Sequence, residues 1–422
     1  MPRADDISLP EAWGFLSRMC SYRFDTRLVH IGERPISRAA WRNATPTSAP
    51  IHCSATFLYP TAQALDEAFA AGGDQVVYTR WGNPTVQALE ALMADLEEGR
   101  GAIACSSGMS ALYLALLAAG TPRGATEPHP RRILASRDLY GATEALLRDF
   151  FAAQSVAVSY CDMSDLAEVK AAIGAHAPDV VLLESLSNPL LKWADVEAIA
   201  HYAHQADARV VVDATLATPV LHRPLTQGAD FVVHSATKYL GGHADATGGI
   251  LAARTGLLLD TARRYAIQLG VSLGPFEARL IARGIHTLGL RVRRQCESAL
   301  TIAQALQKHP RVRRVIYPGL PEHPHHRLMS LQTCGLFGGL ISFELADATR
   351  EAAFAFIDRL KLILPATSLG DIYSLITYPP ISSHRELSEA QRAERGIGEG
   401  LLRLSVGIED PQDLLADLES AL

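Results

Sequence analysis

The sequence lacks any uninterrupted apolar run approaching the roughly 20 residues that a membrane-spanning helix needs, so no transmembrane segment is expected. The opening stretch, MPRADDISLPEAWGFLSRMC, has no apolar core and carries acids early, so no secretory leader is expected either. Cysteine is sparse. Six positions (Cys20, Cys53, Cys105, Cys161, Cys296 and Cys334) are scattered with no C-x-x-C pair. That argues against a disulfide framework or a structural zinc site and for free thiols in a reducing cytoplasm. Positive charge is not in excess: Lys plus Arg is 39, Asp plus Glu is 45, and the net charge is −6. A nucleic-acid surface is therefore not the expected main function. What is present is 422 residues, 48% hydrophobic and 20% charged, the balance of a soluble globular protein with chain for two or three domains.

Residues 1–75 read as an irregular N-terminal arm, broken by Pro46, Pro50 and Pro60 and a Gly72–Gly73 pair, and able to lie against another subunit. From residue 76 the texture is βα alternation. Apolar β-rich runs at 101–105, 131–136, 179–184, 209–213 and 229–234 are separated by helical stretches such as 109–119 and 193–206. The runs are almost continuously apolar, as strands covered on both faces must be. Short strands spaced by helices predict an α/β domain over 76–275 with a doubly wound, mostly parallel sheet. Near 275 the pattern changes to one long helical stretch over 276–308 and a Pro-rich link (YPGLPEHPHH, 317–326). A strand at 338–345 and a helix at 351–360 follow, predicting a smaller C-terminal α+β domain over 276–422.

In open α/β sheets, ligands bind beyond the carboxyl ends of the strands. Several polar residues fall there. Lys238 follows an apolar run in ADFVVHSATKYLGGH, among Ser235, Thr237 and a glycine pair. A lysine is ordinarily a solvated surface charge; this setting suits a Schiff-base lysine beside a bound phosphate. Asp213 ends RVVVD, where it suits a protonated pyridine nitrogen or, more plainly, a helix cap or ion pair. Ser106, Ser107 and Gly108 follow GAIAC and open a helix, a corner whose free N–H groups favour an anion. Glu184 ends VVLLE, with Asn188 just after it. Tyr140 in RDLYGAT could stack on a pyridine ring or serve as a packing residue. Arg403 in LLRLSVGIED suits bidentate binding of a carboxylate, or is a strand arginine with its head in solvent.

Together these residues resemble the cystathionine-γ-synthase-like (Cys/Met metabolism) family of pyridoxal-phosphate (PLP) enzymes of fold type I. The resemblance runs from about Phe24 through YTRWGNPTVQALE (78–90), SSGMSAL (106–112), DLYGAT (138–143), ESLSNPLL (184–191), VVDATLATPVL (211–221), PLTQGADFVVHSATKYLGGHAD (224–245), SLGD (368–371) and LLRLSVGIEDPQDL (401–414). It implies Lys238 as the lysine that carries the cofactor and shuttles protons. It also implies Asp213 facing the pyridine nitrogen and Tyr140 stacking on the ring. Gly108, Met109, Ser235 and Thr237 would hold the phosphate, and Tyr78 and Arg80 would reach into the neighbouring subunit's phosphate site. Arg403 would bind the substrate α-carboxylate, with Asn188 and Ser368 nearby. A homotetramer of two catalytic dimers is implied as well.

Tyr373 departs from the glutamate that the cystathionine lyases and synthases commonly carry, so cystathionine is not the first expectation. SLGD with Asp371 is closer to sulfhydrylases and methionine-γ-lyase-like members. Ala142 and Ala214 replace the commoner Gly and Asn, and PPISSHR (379–385) replaces the usual Pro-Ala-x-x-Thr-His pattern. The resulting expectation is a carbon–sulfur lyase acting by γ-elimination on a methionine-like or homocysteine-like amino acid. The alternatives are γ-replacement on an O-acylhomoserine, cystathionine cleavage, transamination with the same Lys238 and Asp213, and a non-catalytic relic.

Overall fold

The computed structural model describes residues 22–33, 46–70, 76–121 and 130–422. Seven short strands form the central sheet: β1 (Gly101–Cys105), β2 (Arg132–Ser136), β3 (Ala157–Cys161), β4 (Val180–Glu184), β5 (Arg209–Asp213), β6 (Phe231–Ser235) and β7 (Gly249–Ala253). Their order is β1-β7-β6-β5-β4-β2-β3. Strands β3, β2, β4, β5 and β6 run parallel. Strand β7 is antiparallel to both of its neighbours, so β1 points the same way as the parallel set.

Side chains alternate across a strand, so each apolar run feeds two cores. Val181 and Leu183, Val210 and Val212, and Val232 pack on one face against Leu89, Leu92, Ile199 and Ala203. Val180 and Leu182, Val211, Phe231 and Val233 pack on the other against Leu112, Leu116, Ala262 and Tyr265. The helices Pro84–Leu96 and Val196–Gln205 cover the first face, and Gly108–Gly120 and Gly256–Leu269 the second. This is the doubly wound arrangement the sequence predicts.

A second sheet holds β8 (Val312–Ile316), β9 (Leu340–Leu345), β10 (Leu364–Pro365), β11 (Leu375–Thr377) and β12 (Leu401–Ser405), in the order β10-β11-β12-β9-β8. All its pairings are antiparallel except β10 with β11.

Three details differ from expectation. The single helix expected over 276–308 is two, Pro275–Ile285 and Leu288–Leu306. The chain turns at His286–Thr287, and the buried Arg291 stabilises the turn. Its Nη2 donates to the Gly284 carbonyl (2.7 Å) and its Nε to Thr287 Oγ1 (3.1 Å). Two further strands were not among the expected runs: β3 (AVSYC), whose burial pattern is weak, and β7 (GILAA), which is apolar and buried throughout. Much of the expected N-terminal arm (residues 1–21, 34–45 and 71–75) lies outside the described residues. Its described part includes the helices Phe24–His30 and Ala62–Ala70. The first is tied down by a buried ion pair, Arg27 Nε to Asp95 Oδ2 at 2.7 Å. No helix among the described residues is long and apolar enough to cross a membrane.

Candidate active site

The parallel strands end on one rim, where β1, β4, β5 and β6 finish at Cys105, Glu184, Asp213 and Ser235. A cavity of about 460 Å³ opens there. Gly108, Met109, Tyr140, Asn188, Asp213, Ser235, Thr237, Lys238 and Arg403 all line it. The sequence-predicted residues thus meet in one place, although they are spread over almost 300 positions of the chain.

Lys238 sits in the turn after β6, and its backbone N–H donates to the Ser235 carbonyl (3.1 Å). Its Nζ donates to Ser368 Oγ at 3.2 Å. Burial, and then the Arg403 cation, hold its pKa below the usual lysine value, with Asp371 opposing them. That brings the neutral, nucleophilic amine within reach of milder pH.

Asp213 lies at the cavity floor. Its Oδ1 accepts the Thr215 N–H at 2.9 Å. No cation among the described residues pairs with it. Burial pushes its carboxyl up, against the pull of the Thr215 bonds and of His234. Glu184 is pushed well above the usual carboxylate range by burial and by the Asp213 charge, although it accepts the Tyr140 N–H at 2.7 Å.

The anion corner is the start of the helix Gly108–Gly120. Ser107 caps it reciprocally: Ser107 Oγ accepts the Ser110 N–H (3.1 Å), and Ser110 Oγ accepts the Ser107 N–H (3.0 Å). The box engages neither the Gly108 nor the Met109 N–H, and both residues line the cavity at the positive end of the helix. A Cβ on Gly108 would stand 2.8 Å from Ser235 Cβ and 3.0 Å from its Oγ, so only glycine lets the corner approach β6 this closely. Gly249 has the same character, since a Cβ there would run into the Ser107 carbonyl. Strand β7 can slot between β1 and β6 because its first residue has no side chain.

Arg403 lies on β12 and is 2% exposed, which removes the alternative of a head in solvent. Its Nη1 donates to Asn188 Oδ1 (3.0 Å) and its Nη2 to the Ser368 carbonyl (3.0 Å) and Thr377 Oγ1 (3.2 Å). No carboxylate lies in ion-pair reach among the described residues, and its Nε has no partner. Burial lowers its pKa to about 10. A buried cation held by neutral acceptors is incomplete, a setting that suits a ligand carboxylate.

Other expected residues stand elsewhere. Ser368 reaches the site through Lys238 and Arg403. Tyr78 and Arg80 are exposed and do not line this chain's cavity; the Arg80 guanidinium lies 5.5 Å from the Tyr78 ring centre and donates to the Ile267 carbonyl (2.9 Å). Tyr373 is 41% exposed and is not a lining residue. The sequence reading passed over Thr215, whose Oγ1 takes the Ser235 N–H at 2.7 Å while its own N–H serves Asp213. A threonine two residues beyond a strand-end aspartate was the available signal. It also passed over Thr377 in the cavity wall, and noted Ser382 and Ser383 only within the departing segment PPISSHR, without giving them a role.

These residues fit pyridoxal 5'-phosphate. A carboxylate without a cation is there for the pyridine nitrogen, a tight glycine corner at a helix start for the phosphate, and a depressed-pKa amine for the aldehyde.

Comparison with known proteins agrees. The family model described as Cys/Met metabolism PLP-dependent enzyme matches residues 25–422. An L-methionine gamma-lyase of Pseudomonas deceptionensis is 42% identical over 408 residues, 95% of this chain and 98% of that protein. An O-succinylhomoserine sulfhydrylase of Pseudomonas aeruginosa is 37% identical, over 94% of this chain and 95% of that protein. The crystal structure of a cystathionine gamma synthase from Xanthomonas oryzae pv. oryzae, in complex with aminoacrylate and cysteine, superposes with a TM-score of 0.85 at 36% identity. It covers 95% of this chain and 97% of that one. The chain has the fold-type-I architecture and belongs to the Cys/Met metabolism family of pyridoxal-phosphate-dependent enzymes.

Proposed function

We propose that the protein is a carbon–sulfur lyase that acts by γ-elimination on a methionine-like or homocysteine-like amino acid. The observation that carries an amino-acid substrate is Arg403, a buried guanidinium without a carboxylate, in the same cavity as the Lys238 amine. A neutral sulfur side chain is favoured by the wall beyond them. From this chain that wall includes the neutral Tyr140, Leu186, Leu369, Thr377, Ser382 and Ser383, while the carboxyl beside them, Glu184, accepts the Tyr140 N–H and is pushed toward its neutral form by burial. The 42% identity to a methionine gamma-lyase supports the same choice.

Each residue then has a role. Arg403 binds the α-carboxylate, with Asn188 and Ser368 holding its guanidinium in place. The Gly108 and Met109 N–H groups and the Ser235 and Thr237 hydroxyls hold the phosphate. Asp213 keeps the pyridine nitrogen protonated. Bound PLP supplies an electron sink for the charge left when a proton leaves Cα. Lys238 Nζ takes that proton and moves protons between Cα, Cβ and Cγ. The Tyr140 hydroxyl donates a proton to the departing sulfur as the Cγ–S bond breaks. The balance is one water consumed, with a thiol, a 2-oxo acid and ammonia released.

Tyr78 and Arg80 are assigned to the phosphate site of a neighbouring subunit, since they are exposed and lie away from their own chain's cavity. The assembly is then a homotetramer of two such dimers in the cytoplasm. Tyr373, exposed and outside this chain's cavity wall, is read as a substrate-side residue where relatives that act on cystathionine commonly carry a glutamate. Within each subunit, residues 76–275 form the cofactor domain and 276–422 the smaller domain.

The runner-up is γ-replacement on an O-acylhomoserine, which the sulfhydrylase relative supports. The test is purified holoenzyme given methionine, homocysteine or O-acylhomoserine, with and without an added thiol. The expected product is 2-oxo acid and ammonia without any nucleophile. Thioether formed only when thiol is added overturns the lyase in favour of the transferase.

A further inference from the structure

The segment Ser368–Ile372 is clamped onto the turn that carries Lys238. Ser368 Oγ accepts from Lys238 Nζ (3.2 Å), the Gly370 N–H donates to Ser405 Oγ (2.9 Å), and the Ile372 N–H donates to the Gly242 carbonyl (3.0 Å). The long helix Leu288–Leu306 holds the segment from behind, through Gln295 Nε2 and the Asp371 carbonyl (2.9 Å). At its centre the Asp371 side chain is 1% exposed, and neither carboxylate oxygen has a hydrogen-bond partner. Burial pushes its carboxyl up, while the Lys238 cation, the Ala244 N–H, the Ser368 hydroxyl and the Arg291 cation pull it down.

A sealed carboxylate without donors is costly unless cations stand near it. Two do, the Lys238 amine and the Arg291 guanidinium. Arg291 is itself 4% exposed and gives its N–H groups to the Tyr239, Leu240 and Gly284 carbonyls and to Thr287 Oγ1, leaving no fork for Asp371. The remaining ionisable groups around the pair are the Tyr239 hydroxyl, beneath the same turn, and Arg403, which acts on Lys238 with the opposite sign to Asp371. Asp371 is thus the anion that answers the Lys238 ammonium, while Arg403 and burial oppose that charge.

We propose that Asp371 is a positioning residue whose buried carboxylate is the counter-ion of the Lys238 ammonium, making the freed amine a strong enough base to hold the proton taken from the substrate Cα. This rests on the assignment of Lys238 above and adds a residue to it. The proton leaves Cα for Nζ, its electron pair stays with the substrate carbon, and the positive charge created at Nζ is met by Asp371 across the Ser368 contact. Arg403 loses its opposing influence once a substrate carboxylate neutralises it, so the pair gains strength when it is used.

The test is the ionisation of Lys238 in cofactor-free protein, read as the pH dependence of its acetylation by acetic anhydride with mass-spectrometric quantification at that residue. It needs neither cofactor nor substrate, so failure of the lyase assignment leaves it intact. Asp371→Asn is expected to move the midpoint for loss of the ammonium proton to lower pH by about one unit, a tenfold weaker hold, with Asp371→Glu moving it back. In the holoenzyme, where substrate frees the amine, the acid limb of kcat follows in the same direction. An unchanged midpoint in folded Asp371→Asn protein overturns the proposal. Should that variant not fold, wild-type protein carries the test: acetylating Lys238 removes the cation, and the infrared band of a buried carboxylate should convert to that of the acid. A carboxylate band unmoved by acetylation overturns it equally.

Discussion

Lys238 and Arg403 are joined through one serine: Ser368 takes the lysine's Nζ on its hydroxyl at 3.2 Å and the arginine's Nη2 on its carbonyl at 3.0 Å. The Arg403 cation is the second cause, after burial, of the lowered lysine pKa. The acid limb of activity should therefore lie below the ordinary lysine range, with the rate rising as pH climbs through the depressed value. Arg403→Gln removes the opposing charge, so the limb should move to higher pH. Arg403→Lys keeps the charge but loses the fork. It should raise KM about 10- to 100-fold, from the roughly 1.5–3 kcal/mol that a hydrogen bond to a charged group supplies. Pre-steady-state and steady-state pH profiles of both variants check this.

Lys238→Ala should leave the fold intact, because the side chain lines a cavity. Turnover should fall by about 1000-fold or more, within the range expected when a positioned acid–base group is lost. Cofactor should still bind, and release of it from denatured variant without borohydride-trapped adduct at position 238 is the check.

Asp213→Asn retains an oxygen for the Thr215 N–H and so preserves shape while removing charge. Activity should drop by on the order of 100-fold, the scale of losing one preorganised electrostatic contact. A thermal midpoint close to that of the wild type would separate this from a folding defect.

Gly108→Ala puts a methyl group 2.8 Å from Ser235 Cβ, so the corner must open. Weaker cofactor binding is expected, measured by fluorescence titration of the apoenzyme, with a smaller effect on kcat at saturating PLP. Unchanged affinity would contradict the assignment of this corner to the phosphate.

Two buried histidines and one half-buried set a stability window. Burial lowers His222, His323 and His384 to about 4. Their folded values lie below the unfolded value of 6.5, so the unfolded chain takes protons first as pH falls. Stability should be full above pH 6.5 and decline progressively toward pH 4, as read from urea midpoints across that range.

The sequence was legible where one residue type answers one physical demand. Apolar runs such as VVLLE and RVVVD became two-faced strands, and their terminal Glu184 and Asp213 marked the rim. Lys238 stood out because a charge follows a buried strand. The strand AVSYC of β3 was not legible, since only its last residue is fully buried and its alternation is weak. The break at His286–Thr287 depends on Arg291, whose partners are set by tertiary packing. The part of the wall in PPISSHR was visible only as a departure from the family pattern, because hydroxyl residues on a loop read as turn until a cavity forms against them.

The acceptors around Arg403 come from both halves of the molecule: Asn188 follows β4 of the large sheet, while Thr377 ends β11 of the small one and Ser368 lies in the loop between β10 and β11. The carboxylate anchor is therefore a rivet between two bodies. Any sliding of one sheet past the other blunts recognition before either core melts, so mild denaturant should cost substrate affinity well ahead of helix content.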